Sequence, residues 1–338
     1  MSIIFKTKQR KHKMNIISLF SGAGGLDLGF KEAGFNILWA NENNKNTWAT
    51  HERNFPQTIL SKDSITQVVE KKLPDCIGII GGPPCQSFSG AGMKAGTEDP
   101  RGQLFWDYIR ILTAKKPLFF VAENVPGLLT ERHKDSLASF LKAFQEAGYT
   151  VALNLYLASD YGIPQDRTRL FFVGYREDTR LHFSGLQDLN ERKTLRDVLI
   201  GLFEPSPIKN AAVNSCLSPI NHEYMIGGFS SMFMSRNRVR GWDETSFTIL
   251  ATARQISLHP QAPKMEQVHK DLYKFKTGFE HLYRRLSVRE CARIQTFPDN
   301  FTFIYDKIED GYKMVGNAVP VYLAKQIATV IKTDLNLL

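Results

Sequence analysis

Five short apolar runs divide the first half of the chain, and what separates them constrains the fold more tightly than anything else in the sequence. IISLF (16–20), FNILWA (35–40), CIGIIGG (76–82), LFFVAENV (118–125) and RLFFVGY (169–175) are apolar almost throughout, with TILS (58–61) as a further candidate strand. The segments between them read as helices. LDLGFKEAGF (26–35) follows the first run and RGQLFWDYIRILTAKKP (101–117) extends to its proline. Leu137, Phe140, Leu141 and Phe144 recur at i, i+3, i+4 and i+7 before Gly148. A strand that alternates with polar residues has one wet face, whereas a continuously apolar strand is buried on both. Such strands between amphipathic helices predict an α/β fold with a doubly wound, mostly parallel sheet.

The rhythm stops near Arg180. Residues 180–276 are loop-rich, with Pro205, Pro207, Asn and Ser clusters and several arginines. Order returns at YRRLSVRECARIQTFPDNF (283–301), where Ser287 and Glu290 form an S-x-x-E capping box and Pro298 is expected to end the helix. MVGNAVPVYLAKQIATVIKTDL (314–335) reads as a turn feeding a terminal helix. The expected organisation is a basic tail (1–13), a first domain (14–185), a second, smaller and irregular domain (186–285), a hinge segment (286–309) and a return to the first domain (310–338). No run approaches the roughly 18 apolar residues that span a membrane, and MSIIFKTKQRKHKM lacks the apolar core of a signal peptide. The four cysteines have no metal-ligand spacing, so a reducing, cytoplasmic setting without a bound metal is expected. Lys and Arg outnumber Asp and Glu by 43 to 34, a net charge of +9. That excess suits a polyanion such as nucleic acid, with an ordinary basic enzyme as the alternative.

Chemistry-bearing residues collect where strands end. FSGAGGLDLGF (20–30) bridges the first strand and first helix, where glycines let backbone approach a ligand. Asp27 stands where the third glycine of G-x-G-x-x-G belongs, and no Walker lysine follows. Glu42, after the second strand, is placed to accept from ribose hydroxyls; Asp63, after TILS, is placed to accept from an adenine amino group. A glycine mouth with two strand-end acids suits a nucleoside cofactor lacking a pyrophosphate, which describes S-adenosylmethionine; a tight turn without a ligand is the alternative. Cys85 in GGPPCQSFSG (81–90) lies just past a strand, either as a reactive sulfur or as a buried, inert one. Glu123 ends an apolar strand, where burial favours a raised pKa and acid chemistry, unless it is only a capping or surface acid. Arg167 and Arg169 in QDRTR are two apart on an extended segment. They suit a base carbonyl, a phosphate or Glu123 itself, with a surface pair as the plain reading.

Together FSGAGGLDLGF, ANE, GGPPCQSFS, AENVPG, QDRTR, RRLSVRECARIQTFPD and GNAVP stand in the order of the DNA (cytosine-5)-methyltransferase family, which the chain resembles from Met14 onward. The resemblance implies a Rossmann-like, S-adenosylmethionine-dependent methyltransferase. It implies that Phe20, Gly22, Gly24, Gly25, Glu42, Asp63, Leu104 and Asn317 line the cofactor site. It makes Cys85 the nucleophile, with Pro84, Glu123, Arg167 and Arg169 around a cytosine flipped out of double-stranded DNA. QSFSGAGMKAGTEDPRGQ (86–103) resembles the mobile loop of the family, with Ser87 and Arg101 as DNA contacts. The variable segment 227–265 resembles a sequence reader, in which Arg236, Arg238, Arg240 and Arg254 are candidate base contacts. Its run MFMSRNRVR resembles the HaeIII type, which acts within GGCC, although ILATARQ departs from the usual VQASGRQ. The resemblance further implies a monomeric restriction-modification enzyme with a cognate endonuclease. A tRNA cytosine-5 methyltransferase and a catalytically inactive DNA-binding module are the competing readings.

Overall fold

The computed structural model describes residues 14–84, 100–189, 192–208 and 220–336. Strand β1 (Asn15–Leu19) sits inside a seven-stranded sheet with β2 (Asn36–Asn41), β3 (Ile59–Ser61), β4 (Gly78–Gly81), β5 (Phe119–Asn124), β6 (Tyr149–Leu157) and β8 (Thr168–Arg176), in the order β3-β2-β1-β4-β5-β8-β6. Pairings from β3 across to β5 are parallel, while β8 runs antiparallel to both β5 and β6. The two-residue strand β7 (Gln165–Asp166) stands apart and leads into β8. From β1 the chain winds one way to β2 and β3, then returns to place β4 on β1's other side. Open α/β sheets bind ligands at that reversal, outside the carboxyl ends of the strands.

Period two assigns the strand residues to the two faces. Phe119 and Val121 of β5, with Phe171 and Val173 of β8, pack under α1 (Gly25–Glu32) and, near the other end of the chain, a long helix spanning Val321–Leu335. Phe120 and Ala122, with Leu170 and Phe172, face the opposite layer, made by Pro100–Lys115 and Lys134–Glu146. Close approach holds the first layer together: a Cβ on Gly29 would lie 2.4 Å from that of Ala324.

In chain order the helices are α1, α2 (Lys45–Asn54), α3 (Pro100–Lys115), α4 (Lys134–Glu146), α5 (Leu195–Leu199), α6 (Val288–Ile294), α7 (Ile308–Asn317) and α8 (Val321–Leu335). Several local expectations need correction. MVGN belongs to helix α7 and is no turn; the turn is Ala318–Pro320. Helix α6 stops at Gln295, with Thr296 at φ 61°, before Pro298 is reached. Strand β6 and helix α2 had no counterpart in the apolar pattern, because β6 is an edge strand with exposed Leu153 and Leu155 and α2 is mostly polar. Residues 308–335 contain an 18-residue stretch with a mean hydropathy of 1.2, long and apolar enough by composition to cross a membrane, contrary to expectation. They are two helices parted at Pro320, and 67% of that stretch is buried within the protein, as core helices are.

A small apolar cluster of Phe233, Val239, Leu258, Ala262, Met265 and Tyr283 forms its own core. A second cluster joins Leu195, Leu199, Ile249 and Ala253 to Val288, Cys291, Tyr312 and Val315, so residues 286–309 contribute to shared core. Ser287 accepts from the Glu290 N–H at 3.0 Å while Ser287 N–H donates to Glu290 Oε2 at 2.7 Å, completing the expected capping box.

Candidate active site at the carboxyl ends of the strands

A cavity of about 350 Å³ opens where β1, β2, β4 and β5 end. Of the expected residues, Phe20, Gly22, Gly25, Glu42, Pro84, Leu104, Glu123 and Asn317 line it. The turn after β1 carries Phe20 and Gly22 at φ 55° and 56°, and Gly22 has open space where a Cβ would stand. Glu42 accepts from Gly22 N–H at 2.9 Å and from Asn44 N–H at 2.7 Å, which fixes its carboxylate at the end of β2. Burial raises its pKa above the ordinary value, against the pull of those two backbone donors.

Two expected cofactor residues stand elsewhere. Gly24 is outside the lining and caps α1 at φ 92°, where a Cβ would lie 2.3 Å from the Phe55 ring. Asp63 is exposed and outside the lining; its backbone carbonyl accepts from Asn41 Nδ2 at 2.9 Å, and Ile65 lines the cavity in its place. Sequence reasoning missed Asp27, Asn41, Asp310, Lys313 and Met314 in the same wall. Asp27 was visible only as the residue that spoils a glycine motif. In the structure it is fully buried, accepts from Ser18 Oγ and lies 2.9 Å from His51 Nε2. Beneath the glycine turn this makes a continuous polar chain.

Glu123 ends β5, and its Oε1 lies 3.0 Å from Arg169 Nε on β8. Burial raises its pKa, while Arg169 and then Arg167 draw it back. Gly82 is opposite: a Cβ there would come within 3.1 Å of Glu123 Oε2, so the glycine keeps room for the carboxylate. Asn124 Nδ2 donates to Pro83 O at 3.1 Å, tying the Gly-Gly-Pro-Pro turn to β5. Arg167 departs from expectation. It is 1% exposed, and its guanidinium donates to Ile249 O, Gly316 O and Ala318 O at 3.2, 2.9 and 3.0 Å. Burial and the neighbouring Arg169 charge push its pKa down to about 9, so it stays cationic at neutral pH. The interior holds it, and Arg169 alone of the pair meets Glu123 through a direct contact.

Cys85 and Ser87 lie outside the described residues, as does the side chain of Arg101. Cys76 is pushed up to about 12 by burial, and Cys291 is fully buried with its thiol raised likewise. Neither forms thiolate readily. Of the candidate base readers, Arg238 is 4% exposed and donates to Phe233 O, Met232 O and Gln255 Oε1, while lying over the Phe233 ring. Arg240 pairs with Asp166 at 2.9 Å and lies over Phe247. These interior bonds correct the expectation for Arg238 and engage Arg240. Arg236 and Arg254 are exposed and make no ion pair among the described residues.

The family model for C-5 cytosine-specific DNA methylase matches residues 14–333. The chain is 52% identical over 329 residues to the Type II methyltransferase M.FnuDI of Fusobacterium nucleatum, covering 95% of each chain. It is likewise 52% identical over 330 residues to the Type II methyltransferase M.NgoPII of Neisseria gonorrhoeae, covering 95% of this chain and 96% of that one. Among solved structures, a mutant DNMT2 of Spodoptera frugiperda superposes with a TM-score of 0.70 at 18% identity, over 95% of this chain and 99% of that one. The Entamoeba histolytica methyltransferase EhMeth gives 0.69 at 20%, over 95% and 98%. Those two likenesses show the fold, and the family model and the relatives at half identity show the rest: the chain belongs to the C-5 cytosine-specific DNA methylase family, and it is a DNA (cytosine-5)-methyltransferase.

Proposed function

We propose that the protein transfers a methyl group from S-adenosylmethionine to C5 of a cytosine flipped out of duplex DNA, as the modification enzyme of a restriction-modification system. One observation carries the reading: Glu42 and Glu123 line the same cavity, one beside the glycine turn and the other paired with Arg169. Asp27, Glu42, Glu123 and Asp310 put four carboxylates in that wall against Lys313. Such a wall disfavours a pyrophosphate and suits a cationic nucleoside. Each Glu42 oxygen accepts one backbone N–H and keeps a lone pair for a ribose hydroxyl. S-adenosylmethionine supplies an electrophilic methyl group on a sulfonium.

The protein's part is to make C5 a nucleophile. Cys85 follows Pro84, which lines the cavity. Its thiolate bonds to C6 of the cytosine, while Glu123, held by Arg169, supplies a proton at N3. The C4–C5 bond then has enamine character, and with S-adenosylmethionine bound C5 would take the methyl carbon as its bond to the sulfonium sulfur breaks, leaving S-adenosylhomocysteine. Loss of the C5 proton to a water base, cleavage of the Sγ–C6 bond with its electron pair returning to sulfur, and return of the N3 proton to Glu123 restore the ring and release the enzyme. Covalent catalysis of this kind divides one high barrier into lower ones. We assign DNA recognition to residues 186–285 and take GGCC as the working site. The relatives' names as Type II methyltransferases support a partner endonuclease, and a cytoplasmic monomer on DNA fits that role.

A duplex carrying 5-fluorocytosine in GGCC tests the mechanism, because fluorine cannot leave as a proton and the adduct persists. With S-adenosylmethionine present, a denaturation-stable protein–DNA adduct is expected from the wild type and none from Cys85→Ser. An adduct in Cys85→Ser, or methyl transfer retained by it, would overturn the covalent route. A duplex in which only the site is altered measures the GGCC assignment separately.

A further inference from the structure

Two fully buried amides lie outside the cavity, and the reaction gives them no role. Gln165 Nε2 donates to Gln295 Oε1 at 2.8 Å, with both residues 0% exposed. Gln295 Nε2 in turn donates to Val315 O at 2.8 Å and Ala318 O at 3.2 Å. These carbonyls belong to the end of α7 and the turn beyond it, where the helical ladder runs out and Val315 O takes the capping Ala318 N–H at 3.2 Å. Arg167 takes Gly316 O and shares Ala318 O. Met314, Asn317, Ala318 and Val319 from this same stretch line the cavity.

The other end of the network grips a different element. Gln165 Oε1 accepts from Ile249 N–H at 2.9 Å, and Arg167 donates to Ile249 O at 3.2 Å, so two side chains satisfy both backbone groups of one residue. Ile249 follows the two-residue strand Ser246–Phe247, which pairs with β7, and Gly316 packs so tightly on Leu250 that a Cβ would lie 2.4 Å from its backbone. Strand β7 runs on into β8 and Arg169, the partner of Glu123.

We propose that Gln295 and Gln165 are positioning residues: their amide pair holds the 314–319 wall of the cofactor cavity in place against the 246–249 segment and the strand that carries Arg169. The inference rests on reading the cavity as the cofactor site. Neither amide lines the cavity, so its effect is transmitted through backbone position. A buried donor without a partner forces local rearrangement, and here that rearrangement displaces Asn317 and Val319.

Gln295→Met keeps the volume and removes the donors and the acceptor. Calorimetric titration with S-adenosylhomocysteine, and steady-state rates against S-adenosylmethionine, give the readout. The expected result is a rise of about tenfold in the Kd and in the cofactor KM, the scale of one lost hydrogen bond. The kcat at saturating cofactor and the Kd for duplex DNA should stay within about threefold. Gln165→Met should shift cofactor affinity in the same direction and supplies the test if Gln295→Met does not fold. Unchanged cofactor affinity in a folded variant with a lowered thermal midpoint would reduce the pair to core packing and overturn the proposal. Equal losses in kcat and DNA affinity would overturn it too. Glu42→Ala is the separate control: if it binds S-adenosylhomocysteine as the wild type does, the cofactor reading itself fails.

Discussion

Glu123 is under opposing pulls. Burial raises its pKa, and the guanidinium groups of Arg169 and Arg167 draw it down without cancelling the rise. The protonated form therefore persists to higher pH than for an ordinary glutamate. If it supplies a proton at N3, activity is present below the raised value and fades as pH climbs through it. A pH profile of kcat/KM should show this alkaline limb in the wild type, and Glu123→Gln should lose it together with about 10²–10⁴ of the rate. An unchanged limb in the variant would assign the titration to another group. The arginines of the proposed recognition segment also divide by environment. Arg236→Ala is expected to cost about 1–3 kcal/mol at one base position with an unchanged thermal midpoint. Arg238→Ala should lower the midpoint, because its guanidinium bonds Phe233 O, Met232 O and Gln255 Oε1 in the interior. Binding competition with single-base variants of the site, beside thermal melts, would expose a reversed assignment. Residue types were legible at this scale, since Glu42 and Glu123 each close an apolar run. Side-chain direction was less so. Arg167 and Arg169 are two apart, but Arg167 stands between β7 and β8, where strand alternation no longer dictates its face.

At the scale of elements, the sequence announced those that bury a continuous apolar face and concealed those that do not. Strands β4, β5 and β8 were readable; edge strand β6 was not, because Thr150 and Asn154 interrupt it and Leu153 and Leu155 stay exposed. Helix α6 was announced by its capping box, yet the residue that makes the box does more. Glu290 also takes both terminal nitrogens of Arg284 at 2.8 Å, deep in the protein. Burial alone would raise its carboxyl, but the hydrogen bonds and charge of Arg284 hold it below the ordinary value. His259 beside it is pushed down to about 4 by burial and is neutral at physiological pH. A lowered folded-state pKa means that the stabilisation is fully present above the unfolded glutamate value of 4.5 and is lost as pH falls through the lowered one. Glu290→Gln should cost about 3–5 kcal/mol at neutral pH by stranding Arg284, and the deficit should shrink in acid. Chemical denaturation at neutral and acidic pH checks this. A deficit that grows in acid would contradict the assignment.

For the whole molecule, one sheet edge gathers what the chain keeps far apart in sequence. Phe20, Glu42, Pro84 and Glu123 follow or end successive parallel strands, and Asn317 arrives from the last part of the chain to close the wall. That convergence was legible, because strand ends in a parallel sheet all face one way. The contribution of α7 was hidden, since MVGNAVP reads locally as a turn, and the donors that satisfy its last carbonyls, Gln295 and Arg167, come from distant parts of the chain. The proposed reaction is methylation at C5 of cytosine in duplex DNA. Expression in a methylation-free bacterial host, followed by bisulfite sequencing of its DNA, tests it most directly. 5-Methylcytosine is expected at one position of one short site, GGCC as the working assignment, and none with Glu123→Ala. A folded, expressed protein that leaves the host DNA unmodified, or that marks its tRNA instead, would contradict it.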